Sequence, residues 1–337
     1  MIPALIDALL ADRRADVARV EAALRVALTE DLPPAQLAGL LVALRTAELT
    51  PELVAGAARA VLEQASPGPA LDAGAAATRP LVDTCGTGGD GSQSFNVSTA
   101  AAFAVAACGA AVAKHGNRSQ SSRSGSADVL EALGVPFEEG PEEAAARLGR
   151  CGFCFLFAPR YHPALARVGP VRRALGVRTI FNLLGPLLNP AGARRQLVGV
   201  YAPELTAVLA EALGRLGSER VLVVHCAGLD ELGLHAPSRG HLLTGGEVSA
   251  FELDPRDVGL ERAPVEALRV AGPEESARVL RGVLGGERGP ALDATALNAG
   301  AALFAAGLAS SVGEGVELAR ESLHSGAALG VLEEARR

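Results

Sequence analysis

Gly86-Thr-Gly88-Gly89-Asp90-Gly91 places four glycines in six residues, directly after the strand-like run Leu81-Val-Asp-Thr-Cys85. A tight turn explains one or two glycines. Four expose a row of backbone N–H groups, and such a row beside a helix start favours an anion. Ser94 lies in this loop, and Asn96-Val97-Ser98-Thr99 adds an amide and two hydroxyls at the start of the next helix. A second polar constellation follows the next apolar run: Lys114-His115-Gly116-Asn117-Arg118-Ser119-Gln120-Ser121-Ser122, with Ser126 four residues on. Alone, that serine-rich stretch reads as a solvated loop. After a strand end, beside a cation and before a capped helix, it reads as a second phosphate cradle.

Lys114 is the only lysine among 31 basic residues. Arginine presents a broad planar fork, whereas lysine is a compact charge. A chain that uses arginine everywhere else and keeps one lysine here implies a place where shape matters, and the expected task is to hold a phosphate. Two anion sites at neighbouring strand ends suit one ligand with two separated phosphate groups. Phosphoribosyl pyrophosphate has that form. Such a ligand travels with magnesium, which takes carboxylates and keeps several waters. Asp230-Glu231 follows the strand Val221 to His225 through Cys-Ala-Gly-Leu. Adjacent acids on a loop are usually only solvated, but at the carboxyl end of a strand in an α/β sheet they are candidate metal ligands.

Other readings are weaker. Gly86 to Gly91 satisfies the dinucleotide fingerprint in letters, yet the helix starts some seven residues late and no acid stands between Asp90 and Asp128 to hold a ribose. A Walker A loop is excluded because the lysine follows Ala113 instead of glycine. Cys151-Gly-Phe-Cys154 has redox or zinc spacing, but it has no second pair and is flanked by Phe153, Phe155, Leu156 and Phe157, which favours core packing.

The elements that must carry these residues fall into two characters. Asp16 to Leu28 and Pro34 to Leu49 have helical apolar spacing, and Thr50-Pro51-Glu52 is a helix start. Ser66 to Ala77 reads as a hinge. Beyond Arg79, strands alternate with helices: Ala100 to Ala107 capped by Ser98 or Thr99, a strand from Ala110 to Ala113, a helix from Ser126 to Gly134, then strands at Phe153 to Phe157 and Val221 to Val224. The expected fold is α/β, a small helical domain plus a larger α/β domain with a mostly parallel sheet.

At 337 residues and a formal charge of −7, with aromatics at 3%, the chain lacks the basic surface and stacking platforms of a nucleic-acid binder. The longest apolar stretch, Ala100 to Ala113, is broken by Gly109 and too short to span a bilayer. The N-terminus reads as a helix start without a basic leader, and five cysteines in apolar surroundings suit reduced thiols, so a cytoplasmic protein is expected.

Assembled, these motifs closely resemble the anthranilate phosphoribosyltransferase family. Phe157-Ala-Pro-Arg-Tyr-His-Pro163, Val171-Arg172 and Arg178-Thr-Ile-Phe-Asn-Leu-Leu-Gly-Pro-Leu-Leu-Asn-Pro190 extend the likeness, which is densest from about residue 80 to 231. The resemblance implies a nucleoside phosphorylase/phosphoribosyltransferase-like fold. Residues 1–72 would form a helical domain completed by about 160–185, and residues 73–159 and 186–337 the α/β domain. It implies a homodimer through the helical domain and Mg2+ as cofactor. Gly86, Gly89, Asp90, Ser94, Asn96 to Thr99, Lys114 to Ser122 and Ser126 would hold phosphoribosyl pyrophosphate. Ser98, Asp230 and Glu231 would be metal ligands. Gly86, Asn117 and Arg172 would contact anthranilate, with His115, Ala158, Pro159 and His162 along its channel. No general acid or base is assigned. Leu165, three after His162, stands where some members place an aromatic residue or Met, so the channel entrance is expected to differ. Rival readings are a pyrimidine nucleoside phosphorylase, which should lack Lys114 to Arg118 and the Asp-Glu pair, a pyridoxal-phosphate enzyme using Lys114, and a non-catalytic regulator.

Overall fold

The computed structural model describes residues 1–70, 78–119 and 124–337. Four helices open the chain: α1 (Ile2–Asp12), α2 (Val17–Thr29), α3 (Pro34–Thr46) and α4 (Pro51–Leu62). Their starts have local causes. The Asp16 carboxylate accepts from Arg19 N at 3.2 Å, and Thr50 Oγ1 accepts from Leu53 N at 3.2 Å with Pro51 in the first helical turn. The α3 helix stops at Thr46, short of Leu49, because Ala47 is already extended and leads toward the Thr50 cap.

Among the described residues seven strands follow: β1 (Leu81–Gly86), β2 (Ala111–Gly116), β3 (Phe153–Phe157), β4 (Arg195–Gly199), β5 (Arg220–His225), β6 (Ser238–Thr244) and β7 (Glu247–Leu253). They form one sheet in the order β3-β2-β1-β4-β5-β6-β7. The first five are parallel and the last two antiparallel. The β2 strand runs through Gly116, so Lys114 and His115 lie within it and not beyond its end.

Alternate residues of β4 and β5 face opposite layers, as a pleated strand requires. Leu197, Leu222 and Val224 join a core with α5 (Val97–Ala107) and with three later helices, Pro290–Ala306, Val312–His324 and Ala327–Ala335. Val198, Val221 and Val223 join the core of α1 to α4, and Val168, Ile180, Phe181 and Leu184 pack into that same core. The helical module therefore shares apolar packing with one face of the sheet. The α5 helix is alanine-rich and buried nearly all round, so it lies close against the strands. It begins at Val97, with Asn96 in the N-cap position and Ser98 and Thr99 inside its first turn, three residues before the start read from the sequence. Among the described residues no helix is long and apolar enough to cross a membrane.

Candidate functional site

The strand order reverses between β1 and β4, since β2 and β3 lie to one side and β5 to the other. Such a switch point opens a crevice at the carboxyl ends of the strands. Gly86 at the end of β1 is in register with Gly199 at the end of β4. The glycine loop leaves from there, with Gly88, Gly89 and Gly91 at φ of 65°, 80° and 77°, a left-handed backbone that suits glycine. Its anchors are specific. Thr87 N donates to Gly199 O at 2.9 Å, Tyr201 N to Thr87 Oγ1 at 3.1 Å, and Gly88 N to Asp230 Oδ2 at 2.7 Å. Asp90 receives both Ser92 N at 3.0 Å and Asp230 N at 3.2 Å. Ser94 bridges to Arg269 and its N–H donates to Ser92 Oγ at 3.3 Å.

Beside the loop stands the N-terminus of α5, whose first turn receives no side-chain cap. Asn96 is instead knitted outward. Its Oδ1 accepts from Ser124 Oγ at 2.8 Å and from Ser276 Oγ at 2.7 Å, and its Nδ2 donates to Ser124 O at 3.1 Å. Thr99 Oγ1, fully buried, has no hydrogen-bond partner among the described residues. An uncapped helix N-terminus beside a glycine loop is an arrangement that favours an anion.

Lys114 is only 2% exposed. Its ammonium donates to Thr84 O, and to Ser98 Oγ at 3.2 Å. Asp83, fully buried one residue before Thr84, accepts from His115 N at 3.2 Å and from Asn189 Nδ2 at 2.8 Å. Burial pushes the Asp83 carboxyl up, and the Lys114 charge opposes that. Lys114, expected to hold a phosphate, thus lies buried within the sheet with its ammonium against Ser98 at the start of α5. Arg118, also expected on a phosphate, pairs with Asp128 at 3.0 Å and Glu131 at 2.8 Å and sits 4.9 Å over the Phe137 ring. Its charge is committed to the helix Ser126–Ala132, where Ser126 is the first residue. Asp128 also accepts from Ser119 N and Gly125 N, both at 2.9 Å. Gln120, Ser121 and Ser122 lie outside the described residues.

Asp230 and Glu231 follow β5, half-buried and next to Asp90. Burial, then Asp90, then Glu231 push the Asp230 carboxyl well above the ordinary range. Burial and Asp90 push Glu231 up to about 7, against the pull of Lys114 and Ser98. Among the described residues no group of three His, Cys, Asp or Glu forms a closed metal cage. Two adjacent carboxylates and a hydroxyl, crowded by a third carboxylate, fit magnesium, which binds through few protein oxygens and completes its shell with water and phosphate.

The neighbouring pair β2 and β3 brings together the residues expected along an acceptor channel. Register sets His115 beside Leu156 and Gly116 beside Phe157, bringing His115 to Asn117 next to Ala158, Pro159 and His162 on and after the short helix Ala158–Tyr161. The His115 and His162 rings meet edge-on with centroids 5.1 Å apart. His115 Nδ1 lies 3.2 Å from Gly185 O and His162 Nε2 lies 2.8 Å from Leu188 O. A carbonyl only accepts, so those nitrogens carry the protons. His115 Nε2 and His162 Nδ1 are left as buried acceptors without partners among the described residues. Burial lowers both rings, His115 to about 3 with His162 adding to the effect, so both are neutral at pH 7. Arg172, on the helix Leu165–Leu175, lies 5.4 Å over the Phe181 ring and forms no ion pair among the described residues. Leu165 opens that helix and packs, partly buried, against the helical core. Cys151 and Cys154 carry free thiols, Cys154 fully buried.

Four supporting residues escaped the sequence reading. Asp83 and Asn189 stood in motifs without assigned roles, Gly199 had no flanking motif, and Ser276, 180 positions from Asn96, had no local signal at all.

A helical bundle joined to a mostly parallel α/β domain, with an anion cradle at the switch point, is the plan of a glycosyltransferase. Residues 3–65 match the helical bundle domain of the glycosyl transferase family, and residues 78–329 match its a/b domain. The chain is 50% identical over 321 residues to anthranilate phosphoribosyltransferase of Symbiobacterium thermophilum, covering 95% of this chain and 92% of that one. The crystal structure of anthranilate phosphoribosyltransferase from Thermus thermophilus superposes with a TM-score of 0.90 at 48% identity, over 98% of both chains. The Saccharomyces cerevisiae enzyme in complex with PRPP and Mg gives 0.86 at 30% identity, over 99% of this chain and 96% of that one. The chain belongs to the anthranilate phosphoribosyltransferase family.

Proposed function

We propose that this chain transfers the phosphoribosyl group of phosphoribosyl pyrophosphate to the amine of anthranilate, giving N-(5-phosphoribosyl)anthranilate and pyrophosphate, a step of tryptophan biosynthesis. The observation that carries this reading is the pairing of two unlike half-sites at adjacent strand ends. One is the cradle of glycine-loop amides and α5 N-terminus, with Asp230 and Glu231 beside it. The other is formed by the neutral histidines His115 and His162, with Arg172, which forms no ion pair among the described residues, on the helix that follows them.

The bond from the anomeric carbon to the pyrophosphate oxygen breaks as the amine nitrogen forms its bond to that carbon. Anthranilate's amine is neutral at pH 7, so no strong base is needed to create the nucleophile. The barrier lies in the departing anion and the oxocarbenium-like carbon it leaves. Loop amides and the helix terminus stabilise the charge growing on the leaving group. Ser98, Asp230 and Glu231 would hold magnesium, which neutralises the diphosphate when bound. Arg172 takes the acceptor carboxylate in a bidentate pair. Gly86 and Asn117 would contact the acceptor where it meets the donor, with His115 and His162 along its channel. The proton lost from nitrogen after attack is acidic enough for the released pyrophosphate to accept.

Mixing the protein with anthranilate, phosphoribosyl pyrophosphate and magnesium should abolish anthranilate fluorescence, and no loss with folded protein would sink the assignment. In the same assay Arg172→Ala should raise the anthranilate KM by about 10- to 100-fold, the weight of a charge-assisted hydrogen-bonded pair, with kcat within about threefold. Equal losses in kcat and kcat/KM would show a transition-state role instead.

Residues 1–72 with about 160–185 are read as one helical module that also forms a homodimer. Its support is the exposure of Met1 just before the first helix, Leu10 on it and Val42 on the third, 41% or more each. A single-chain mass in light scattering would exclude the dimer. Free buried thiols and the absence of a disulfide among five cysteines suit a reducing compartment, and the cytoplasm is the proposed location.

A further inference from the structure

Arg178 lies between the helix Leu165–Leu175 and the short helix Phe181–Leu184, in the segment that packs with the helical module. Its side chain leaves that module. Nη2 donates to Gly89 O at 2.5 Å, and the guanidinium lies 3.9 Å from the centroid of the Tyr201 ring. Its own carbonyl accepts from Arg45 Nη1 of α3 at 3.0 Å, so the backbone at 178 is tied to the first helices. Tyr201 in turn holds the glycine loop from below through its N–H on Thr87 Oγ1. Arg178 forms no ion pair among the described residues, although the chain pairs many of its surface arginines with carboxylates. A guanidinium placed on a neutral carbonyl and a ring keeps its positive charge uncompensated beside the anion cradle.

The peptide geometry gives this contact a consequence. In a trans peptide the carbonyl of one residue and the N–H of the next point in opposite directions. Holding Gly89 O toward Arg178 therefore turns the Asp90 N–H away from it. Gly88 N is already fixed on Asp230 Oδ2. Two peptides on either side of the Gly88–Gly89 bond, in a loop with three left-handed glycines that would otherwise sample many states, are thus pinned from two sides.

We propose that Arg178 is a positioning residue for the phosphoribosyl donor: it pins the glycine loop to the helical module and sets the loop amides toward the diphosphate. This rests on the donor reading of the loop given above. The same segment carries Arg172 and Phe181, so the acceptor side and the donor loop are held by one piece of chain.

The test is steady-state kinetics and calorimetric titration with magnesium and phosphoribosyl pyrophosphate on Arg178→Ala, Arg178→Lys and Tyr201→Leu. Wild-type titration comes first and decides the donor reading by itself. Arg178→Ala should raise the donor KM and Kd about tenfold, with kcat within threefold and the anthranilate KM within twofold, the signature of lost binding. Arg178→Lys keeps the charge but loses fork and stacking, so it should fall between. Tyr201→Leu should shift donor KM in the same direction by less. Wild-type donor KM in Arg178→Ala overturns the proposal, as does an equal rise in both substrates' KM. Should Arg178→Ala fail to fold, Tyr201→Leu decides: a donor-only rise supports the pin, and no change removes it.

Discussion

Lys114→Arg is expected to keep the charge and lose the enzyme. The Lys114 ammonium is 2% exposed, seated on Thr84 O and Ser98 Oγ. Asp83 and Glu231 flank it closely enough for its charge to pull both carboxyls down. A guanidinium is broader, planar and short of room there, and overpacking a tight interior costs about 1–3 kcal/mol. The strain falls on Ser98, whose hydroxyl is a proposed metal ligand and whose backbone opens α5, with Ser98 O accepting from Thr84 Oγ1 at 2.9 Å. A shift of roughly 1 Å in such a group costs about 100-fold in rate. We expect kcat/KM for phosphoribosyl pyrophosphate to fall at least that far. Lys114→Met removes the cation whose charge opposes the burial effect on Asp83 and Glu231, so a loss of stability is expected as well. Urea unfolding and donor kinetics on both variants check this. Near wild-type values for Lys114→Arg would end the argument that shape preserved the lysine.

That lysine also shows what sequence can and cannot tell. Its rarity was visible, and its place at the edge of two polar motifs pointed to the right region. Its depth was not visible. Whether a residue near a strand end projects above the sheet or lies within it turns on a register of one or two residues, and β2 proved to run through Gly116. Local spacing likewise located the glycine loop, Asn96 to Thr99 and Asp230-Glu231, because each is a contiguous motif at an element boundary. The two-layer plan was legible from the change in periodicity after Arg79. Ser276, Asn189 and Arg178 bind their partners across 180, 106 and 89 positions, and no periodicity reports contacts of that range. Arg118 is the converse case. Its motif suggested phosphate, while the carboxylates that claim it, Asp128 and Glu131, are ten and thirteen residues ahead on a helix face. Glycine showed the same limit: loop glycines announce themselves by clustering, but Gly199, solitary in a strand, does not.

Gly199→Ala is expected to abolish turnover while leaving the fold in place. A Cβ at 199 would stand 1.5 Å from Asp230 O and 2.5 Å from Asp230 C, with Glu231 N at 3.3 Å. No side-chain rotation relieves a clash between a Cβ and a backbone. One of the two chains must move. The end of β4 is held by its register with Gly86 and by Thr87 N on Gly199 O, so the Asp230-Glu231 peptide is the part that yields. A displacement of about 1.5 Å or more takes Asp230 Oδ2 from Gly88 N and separates Glu231 from Ser98, and misplacement of reacting groups on that scale costs about 100-fold or beyond. We expect kcat to fall by about 1,000-fold and the magnesium needed for half-maximal rate to rise about tenfold, since both carboxylates move together. The structural cost should stay near about 1–3 kcal/mol, because the clash sits at the crevice rim where the loop can give. Gly149→Ala is the control. That position is helical with open space around it, so alanine there should stabilise by about 0.5–1 kcal/mol and leave the kinetics alone. Far-ultraviolet dichroism, magnesium titration and donor kinetics on the two variants separate the outcomes. Full activity in Gly199→Ala would mean that Asp230 and Glu231 tolerate displacement and cannot be the metal-holding pair.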